Sequence, residues 1–325
     1  MGVIRAVVKG CGHYLPERVV ENDEFTETLD TSDEWIRART GIERRHFAAD
    51  DQKTSDLAYE AAIVALKNAG MTGNDLDTII LATATPDQTF PSTATRLQYA
   101  IGMTGGFAFD IQAVCAGFIY ALANATALIE SGHAKTVMIV GAETFSRIID
   151  FTDRGTCVLF GDGAGALILQ GEEGTGSGED RGVLSTDLNS DGKYNDLLYV
   201  DGGVSSTQST GKLRMQGQEV FKHAVSKLAS SGEKALELAG LQASDVDWIV
   251  PHQANLRIIS RTAKKMGVSM DNVVVTVQDH GNTSAASIPL ALSVAEQRGQ
   301  IKKGDLLLLE AIGGGLAWGA AAVRW

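Results

Sequence analysis

Four residues of this chain have the types and settings that chemistry would use. Cys115 follows an apolar, strand-like run, Gly106–Gln112, and precedes a helix-like run, Ala116–Ala125. A thiol there lies at a helix N-terminus, whose partial positive charge favours thiolate and whose unsatisfied N–H groups face whatever the sulfur attacks. Nucleophile and oxyanion donors would then share one turn. The plain alternative is a small core residue in apolar company. His252 follows the apolar pair Ile249-Val250, and the loop His280-Gly-Asn-Thr-Ser284 follows Val273–Val277. Spacing alone does not choose between His252 and His280, and a lone histidine after an apolar strand is more often structural. Asn282, in a Gly-Asn-Thr-Ser turn, reads equally as a turn residue or helix cap. Gly161–Ala166 fits a dinucleotide fingerprint with Ala in its last position, but Leu167-Ile-Leu-Gln170 follows where a helix should open, so a glycine-bulged strand is the better reading. The sequons at Asn124 and Asn282 read as chance matches.

These residues need a scaffold, and the chain is long enough to supply one. Its 325 residues are 44% hydrophobic, enough for a large core. A formal net charge of −12 argues against general nucleic-acid or anionic-membrane binding. There is no run of about 18 apolar residues to span a bilayer. The start of the sequence lacks a secretory signal and a myristoylation pattern. Three cysteines, Cys11, Cys115 and Cys157, without CxxC spacing fit a reducing compartment and neither a disulfide framework nor a zinc site. A cytoplasmic protein is expected, with Cys11 and Cys157 in the core.

An internal duplication organises the scaffold. Gly70–Leu81 matches Gly240–Pro251 position for position as a helix end, an acidic turn and an apolar strand. The parallel continues through an amphipathic stretch ending at Gly102 or Gly267 and a strand over Phe107–Gln112 or Val273–Gln278. It ends in an apolar helix over Ala116–Ala125 or Ala285–Val294. The expected architecture is therefore α/β, with two copies of one unit about a pseudo-twofold and central helices between two sheets. The halves fall at 1–172 and 173–325, with an irregular, lid-like insertion over about 173–218. Ligands in such folds gather at strand C-termini, which brings Cys115, His252 and the 280–284 loop toward one point.

Asp30-Thr-Ser-Asp-Glu-Trp-Ile36, Arg39-Thr-Gly-Ile42, Thr152-Asp-Arg-Gly155, Phe160-Gly-Asp-Gly-Ala-Gly165, Pro251-His-Gln-Ala-Asn255, His280-Gly-Asn-Thr-Ser-Ala285 and Gly313-Gly-Gly315 occur in that order. Together they resemble the β-ketoacyl-acyl-carrier-protein synthase III family of the thiolase superfamily, and the likeness runs almost end to end. The resemblance implies a duplicated, five-layered αβαβα fold and an enzyme that starts type II fatty acid synthesis. It would condense a short acyl-coenzyme A, acetyl above all, with malonyl-acyl carrier protein by a ping-pong route, as a homodimer and without a cofactor or metal.

The resemblance also implies roles. Cys115 takes the acyl group, His252 and Asn282 serve decarboxylation and condensation, and the backbone N–H groups of Cys115 and Gly314 form the oxyanion hole. Trp35 and Arg154 match a pair that sandwiches adenine, Arg39 lies near the phosphates, and Asn255 joins the coenzyme A site. Phe90 matches a residue that closes the acyl pocket of a dimer partner. Ile312 stands where many relatives carry an aromatic residue, which bears on acyl-chain preference. Arg257, Arg261, Lys264 and Lys265 fall on one helical face. That face is either solvated or a dock for acidic carrier protein, with Lys222 at its rim. A related acyltransferase with another acceptor, a non-catalytic scaffold subunit and an acyl hydrolase are the competing functions.

Overall fold

The alternation of apolar runs with Ala- and Gly-rich stretches produces strands covered by closely packed helices. The structure, a computed structural model, describes residues 2–325. The chain begins β1 (Val3–Tyr14), β2 (Arg18–Glu21), α1 (Asp23–Thr26), α2 (Asp33–Thr40), β3 (Arg44–Phe47), α3 (Thr54–Ala69) and β4 (Thr78–Ala82). It continues α4 (Thr93–Ala100), β5 (Phe107–Ile111), α5 (Gly117–Glu130), β6 (Thr136–Glu143), β7 (Gly163–Gly174), β8 (Gly182–Ser190), β9 (Leu198–Val200) and β10 (Leu213–Met215). The remainder is α6 (Gly217–Leu238), β11 (Trp248–Pro251), α7 (Leu256–Lys265), α8 (Val277–His280), α9 (Ser287–Gln297), β12 (Leu306–Gly313) and β13 (Ala317–Arg324).

Two sheets carry the duplication. The first has strand order β1-β7-β6-β4-β5 and the second β11-β12-β13-β8. β4 and β6 are parallel, as are β11 and β12, and each sheet then continues through two antiparallel pairings. The order β4-β6-β7-β1 thus repeats as β11-β12-β13-β8. Between the sheets lie α5 and α9, which contact strands of both. α9 buries every residue from Ser287 to Ala295, and β7 approaches it so closely at Gly165 that a Cβ there would meet Leu290 N at 2.6 Å. Helices α3 and α4 cover the outside of the first sheet, and α6 and α7 that of the second. The result is five layers of the thiolase type. Truncating one central side chain such as Leu290, fully buried, to Ala would cost about 2–5 kcal/mol.

Two expectations fail locally. The strand expected over Val273–Gln278 shrinks to one bridge, Val273 to Ile249, followed by the short helix α8. The buried Gln253 side chain explains this. Its Oε1 accepts the N–H groups of Thr276 and Val277, while Nε2 donates to Val274 O, so one amide does the work of a neighbouring strand. Nor is the segment 173–218 wholly irregular. It contains β8, which pairs with β13 along Gly182–Ser190, and the β9–β10 ribbon. Gly163–Gly174 is a strand paired on both sides, so no helix opens behind the glycine-rich fingerprint. Among the described residues, no helix is long and apolar enough to cross a membrane.

Candidate active site

Cys115 sits in a 3-10 turn, Val114–Ala116, between the end of β5 and the start of α5. Val114 holds φ at 48°, a costly conformation for a β-branched residue, which turns the chain sharply and aims the next side chain inward. The N-cap of α5, Ala116, offers no capping side chain, so the first-turn N–H groups stay available. The Cys115 N–H has no acceptor within the described residues, and neither has the Gly314 N–H. Burial is the larger electrostatic influence: it pushes the Cys115 thiol up to about 12, against a hydrogen-bonding contribution from Ser284. The helix terminus favours the thiolate, but burial opposes it and holds the resting group as a thiol.

His252 follows β11, and its N–H donates to Glu310 O at 2.8 Å. Its Nδ1 lies 2.6 Å from Ser287 Oγ, which also accepts the Gln253 N–H at 3.3 Å. Ser287 Oγ keeps a hydroxyl proton free to donate to Nδ1, and in that tautomer Nε2 carries the ring's N–H. Burial lowers the His252 pKa to about 3, so the imidazole is neutral. Asn282 Oδ1 accepts the Ser284 N–H at 2.9 Å, which leaves the amide Nδ2 as the free end. A cavity of about 550 Å³ is lined by Cys115, His252 and Asn282 together. His280, also buried, does not line it.

This cavity runs outward past Ile312 to Trp35, Arg39, Arg154, Asn255, Arg257 and Arg261. Arg154 and Arg39 lie 4.9 and 5.1 Å from the Trp35 ring centroid, so the cations occupy the ring and an entering base must displace one. Arg154 is tethered to Asp30. Asn255 lines the space but is occupied locally: Oδ1 caps α7 through the Arg257 N–H, and Nδ2 donates to Arg39 O. A second cavity, of about 320 Å³, also reaches Cys115 and is walled by Phe145, Ile148, Phe160, Leu198 and Leu213. Ile312 faces the larger cavity rather than this apolar one. Phe90 is 81% exposed and lines neither.

Arg257, Arg261, Lys264 and Lys265 are exposed and make no ion pair among the described residues. Both arginines lie over the Phe221 ring at the cavity mouth. Lys222 is exposed and pairs with Glu219 at 3.4 Å. Sequence reasoning missed Ser287 and Gln253, which orient His252 and its neighbours, and Glu143, which lies beside the Ser284 turn. Ser287 had a detectable signal in its place just after the 280–285 motif; Glu143 had none. Among the described residues, no cluster of three His, Cys, Asp or Glu side chains forms.

Two family models match the chain: 3-oxoacyl-acyl-carrier-protein synthase III over residues 109–192, and its C-terminal counterpart over residues 236–325. β-Ketoacyl-acyl-carrier-protein synthase III of Ruegeria pomeroyi is 71% identical over 321 residues, covering 99% of both chains. Its Paracoccus denitrificans namesake is 67% identical with the same coverage. The crystal structure of the synthase III from Aquifex aeolicus VF5 superposes with a TM-score of 0.92 at 44% identity, covering 98% of this chain and 100% of that one. A priming β-ketosynthase of the R1128 polyketide pathway superposes with a TM-score of 0.91 at 34% identity, covering 99% of this chain and 96% of that one. The chain belongs to the β-ketoacyl-acyl-carrier-protein synthase III family, thiolase-fold acyltransferases, and catalyses the condensation that initiates fatty acid synthesis.

Proposed function

We propose that Cys115 takes a short acyl group, acetyl in the first instance, from coenzyme A and passes it to malonyl-acyl carrier protein in a ping-pong sequence. The observation that carries this reading is the shared cavity, in which a buried thiol, a neutral imidazole and a primary amide face one space that opens among cations. In the first half-reaction Sγ adds to the thioester carbonyl, and the oxygen's charge develops beside the unpartnered N–H groups of Cys115 and Gly314. The bond to the coenzyme sulfur then breaks, and that sulfur leaves with the proton the thiol gave up.

In the second half-reaction the malonyl group loses carbon dioxide and charge gathers on its thioester oxygen. His252 Nε2–H and Asn282 Nδ2–H donate to that oxygen, each worth roughly 3–4 kcal/mol. A neutral ring keeps its donor without offering the enolate an acidic proton. The carbanion attacks the acyl-cysteine and expels the sulfur as a thiolate, which takes up a proton from solvent to restore the thiol. The scheme uses no metal or cofactor. On this reading residues 1–172 supply the nucleophile and residues 173–325 the donor pair. Trp35, Arg39 and Arg154 receive the nucleotide end of coenzyme A, and the apolar cavity takes a short acyl chain. The exposure of Phe90 supports its reaching a partner in a homodimer, and three free cysteines support a reducing cytoplasm.

Intact-protein mass spectrometry with acyl-coenzyme A thioesters of rising length and branching tests this. The wild type gains one acyl group and Cys115→Ala none. Cys11 is buried with its thiol against Glu296, and burial pushes Cys157 up to about 11, so neither should react. Acylation at either of those two would overturn the assignment.

A further inference from the structure

A neutral Cys115 thiol needs a proton acceptor, and His252 is poorly suited to be one. Its ring is buried, and its Nδ1 partner is the Ser287 hydroxyl rather than a carboxylate that would stabilise an imidazolium. The carboxyl group on the other side of Cys115 is Glu143, the last residue of β6 and fully buried. Thr85 Oγ1 donates to its Oε2 at 2.6 Å and Thr83 Oγ1 at 3.1 Å, while the Ala84 N–H spans both carboxylate oxygens. Ser284 lies on the turn that packs against both β6 and the Cys115 turn. Its Oγ bears on the charge of both groups, yet it is buried with no hydrogen-bond partner among the described residues.

The backbone builds this line deliberately. The Ser284–Ala286 turn packs on β6 and on the Cys115 turn. It reaches β6 only because Gly141 has no side chain, since a Cβ there would lie 2.2 Å from Ala285 O. Ser284 itself holds φ at 49°, the strained conformation that Val114 adopts before Cys115. A strained backbone and a buried hydroxyl without a hydrogen-bond partner therefore coincide at Ser284, on a turn that Gly141 admits to β6.

We propose that Glu143, acting through the hydroxyl of Ser284, accepts the proton of Cys115 during acyl transfer. The S–H bond breaks as Ser284 Oγ takes the proton, and Ser284 passes its own hydroxyl proton to the Glu143 carboxylate. Sγ forms its bond to the acyl carbon and the carbon–sulfur bond to coenzyme A breaks. The same two transfers run backward then protonate the departing coenzyme sulfur, and no net charge remains. Ser284, on the turn packed against Cys115, relays the proton, and Glu143 receives it through that hydroxyl. The inference rests on the assignment of Cys115 as nucleophile.

The test is the single-turnover rate of Cys115 acylation by acetyl-coenzyme A, followed by rapid-quench mass spectrometry from pH 5.5 to pH 9. The groups facing Glu143 are Thr83, Ala84 and Thr85 at the end of β4, Ser284 on its turn and Cys115 on the other turn. Of these neighbours only Cys115 titrates, far above the range, whereas burial brings Glu143 up to about 7. The wild-type rate should climb as Glu143 ionises through about pH 7. Glu143→Gln and Ser284→Ala should each lose that step and fall by on the order of 10²-fold at pH 8. A wild-type profile without the step overturns the relay. So does a wild-type rate and profile in both variants, with folding checked by near-ultraviolet circular dichroism. No acylation of wild-type Cys115 by any thioester would instead overturn the nucleophile assignment, and the relay with it.

Discussion

Gly313→Ala sets two opposite effects against each other, and the structure decides between them. Gly313 ends β12 opposite Ala317. Its φ is not positive, so the backbone accepts alanine without torsional strain. Where the new methyl fits, Gly→Ala stabilises by about 0.4–1 kcal/mol through the unfolded chain. Here a Cβ would lie 2.6 Å from Cys115 N and 3.2 Å from both Ala113 O and Ala116 N. All three are backbone atoms of the nucleophile's turn and cannot rotate away. The closest is roughly 0.8 Å short of ordinary van der Waals contact, an overpacking that costs about 1–3 kcal/mol.

The clash should win, and the turn that must yield carries both the proposed nucleophile and a proposed oxyanion donor. Displacement of reacting groups by about 1 Å costs on the order of 10²-fold in rate. Acylation by acetyl-coenzyme A should therefore fall about 10- to 100-fold in a single-turnover assay, with a melting temperature lower by a few degrees. The variant should still load one acyl group at long times. A Gly313→Ala protein that melts at or above the wild-type temperature and acylates at the wild-type rate would refute the close approach.

His252→Ala and Asn282→Ala should each keep acyl-enzyme formation within about tenfold while condensation drops by about 10²–10³-fold. Loss of acylation with normal malonyl decarboxylation would reverse the roles. Arg257→Glu should weaken use of malonyl-acyl carrier protein by roughly five- to 150-fold at low salt and spare acylation by coenzyme A thioesters. An unchanged KM and salt dependence would return the stripe to solvent. Glu310, with an unpaired Oε2, is raised by burial from 4.5 to about 8. The folded state thus holds a proton that the unfolded chain releases, and stability falls as pH rises from about 4.5 to about 8. Glu310→Gln should gain on the wild type across that window, by a few kcal/mol at most. Parallel melting temperature profiles from pH 5 to pH 9 would contradict this.

What could be read from the sequence was what repeats or lies close along the chain. The match of Gly70–Leu81 with Gly240–Pro251 corresponds to 3-10 turns, Gly73–Asp75 and Ala243–Asp245, that lead into β4 and β11, which occupy the same place in the two sheets. Side-chain substitutes for backbone pairing were not legible. Gln253 replaces a strand through contacts that no periodicity encodes, and β8 escaped notice because Gly182–Ser190 is half polar as an edge strand. Burial was not legible either. The local position of Cys115 shows only the helix terminus that favours thiolate, and the opposing burial comes from packing remote in sequence. Glu143 gave no sign because its neighbours come from β4 and the Ser284 turn, remote in sequence.

The duplication gives this division of labour a physical basis. Each copy enters its central helix through a three-residue turn, Val114–Ala116 before α5 and Ser284–Ala286 before α9, and each turn opens with a residue at φ near 50°. The second position is Cys115 in one turn and Ala285 in the other, so a single nucleophile is presented where symmetry would allow two. The second copy's turn lies against the first and against β6, and Asn282 Oδ1 accepts the Ser284 N–H. On the proposed scheme the sulfur and its own N–H come from one copy, and the Asn282 amide and the Ser284 hydroxyl from the other. Neither turn holds the whole set, so the site exists only where the pseudo-twofold brings the two turns into contact.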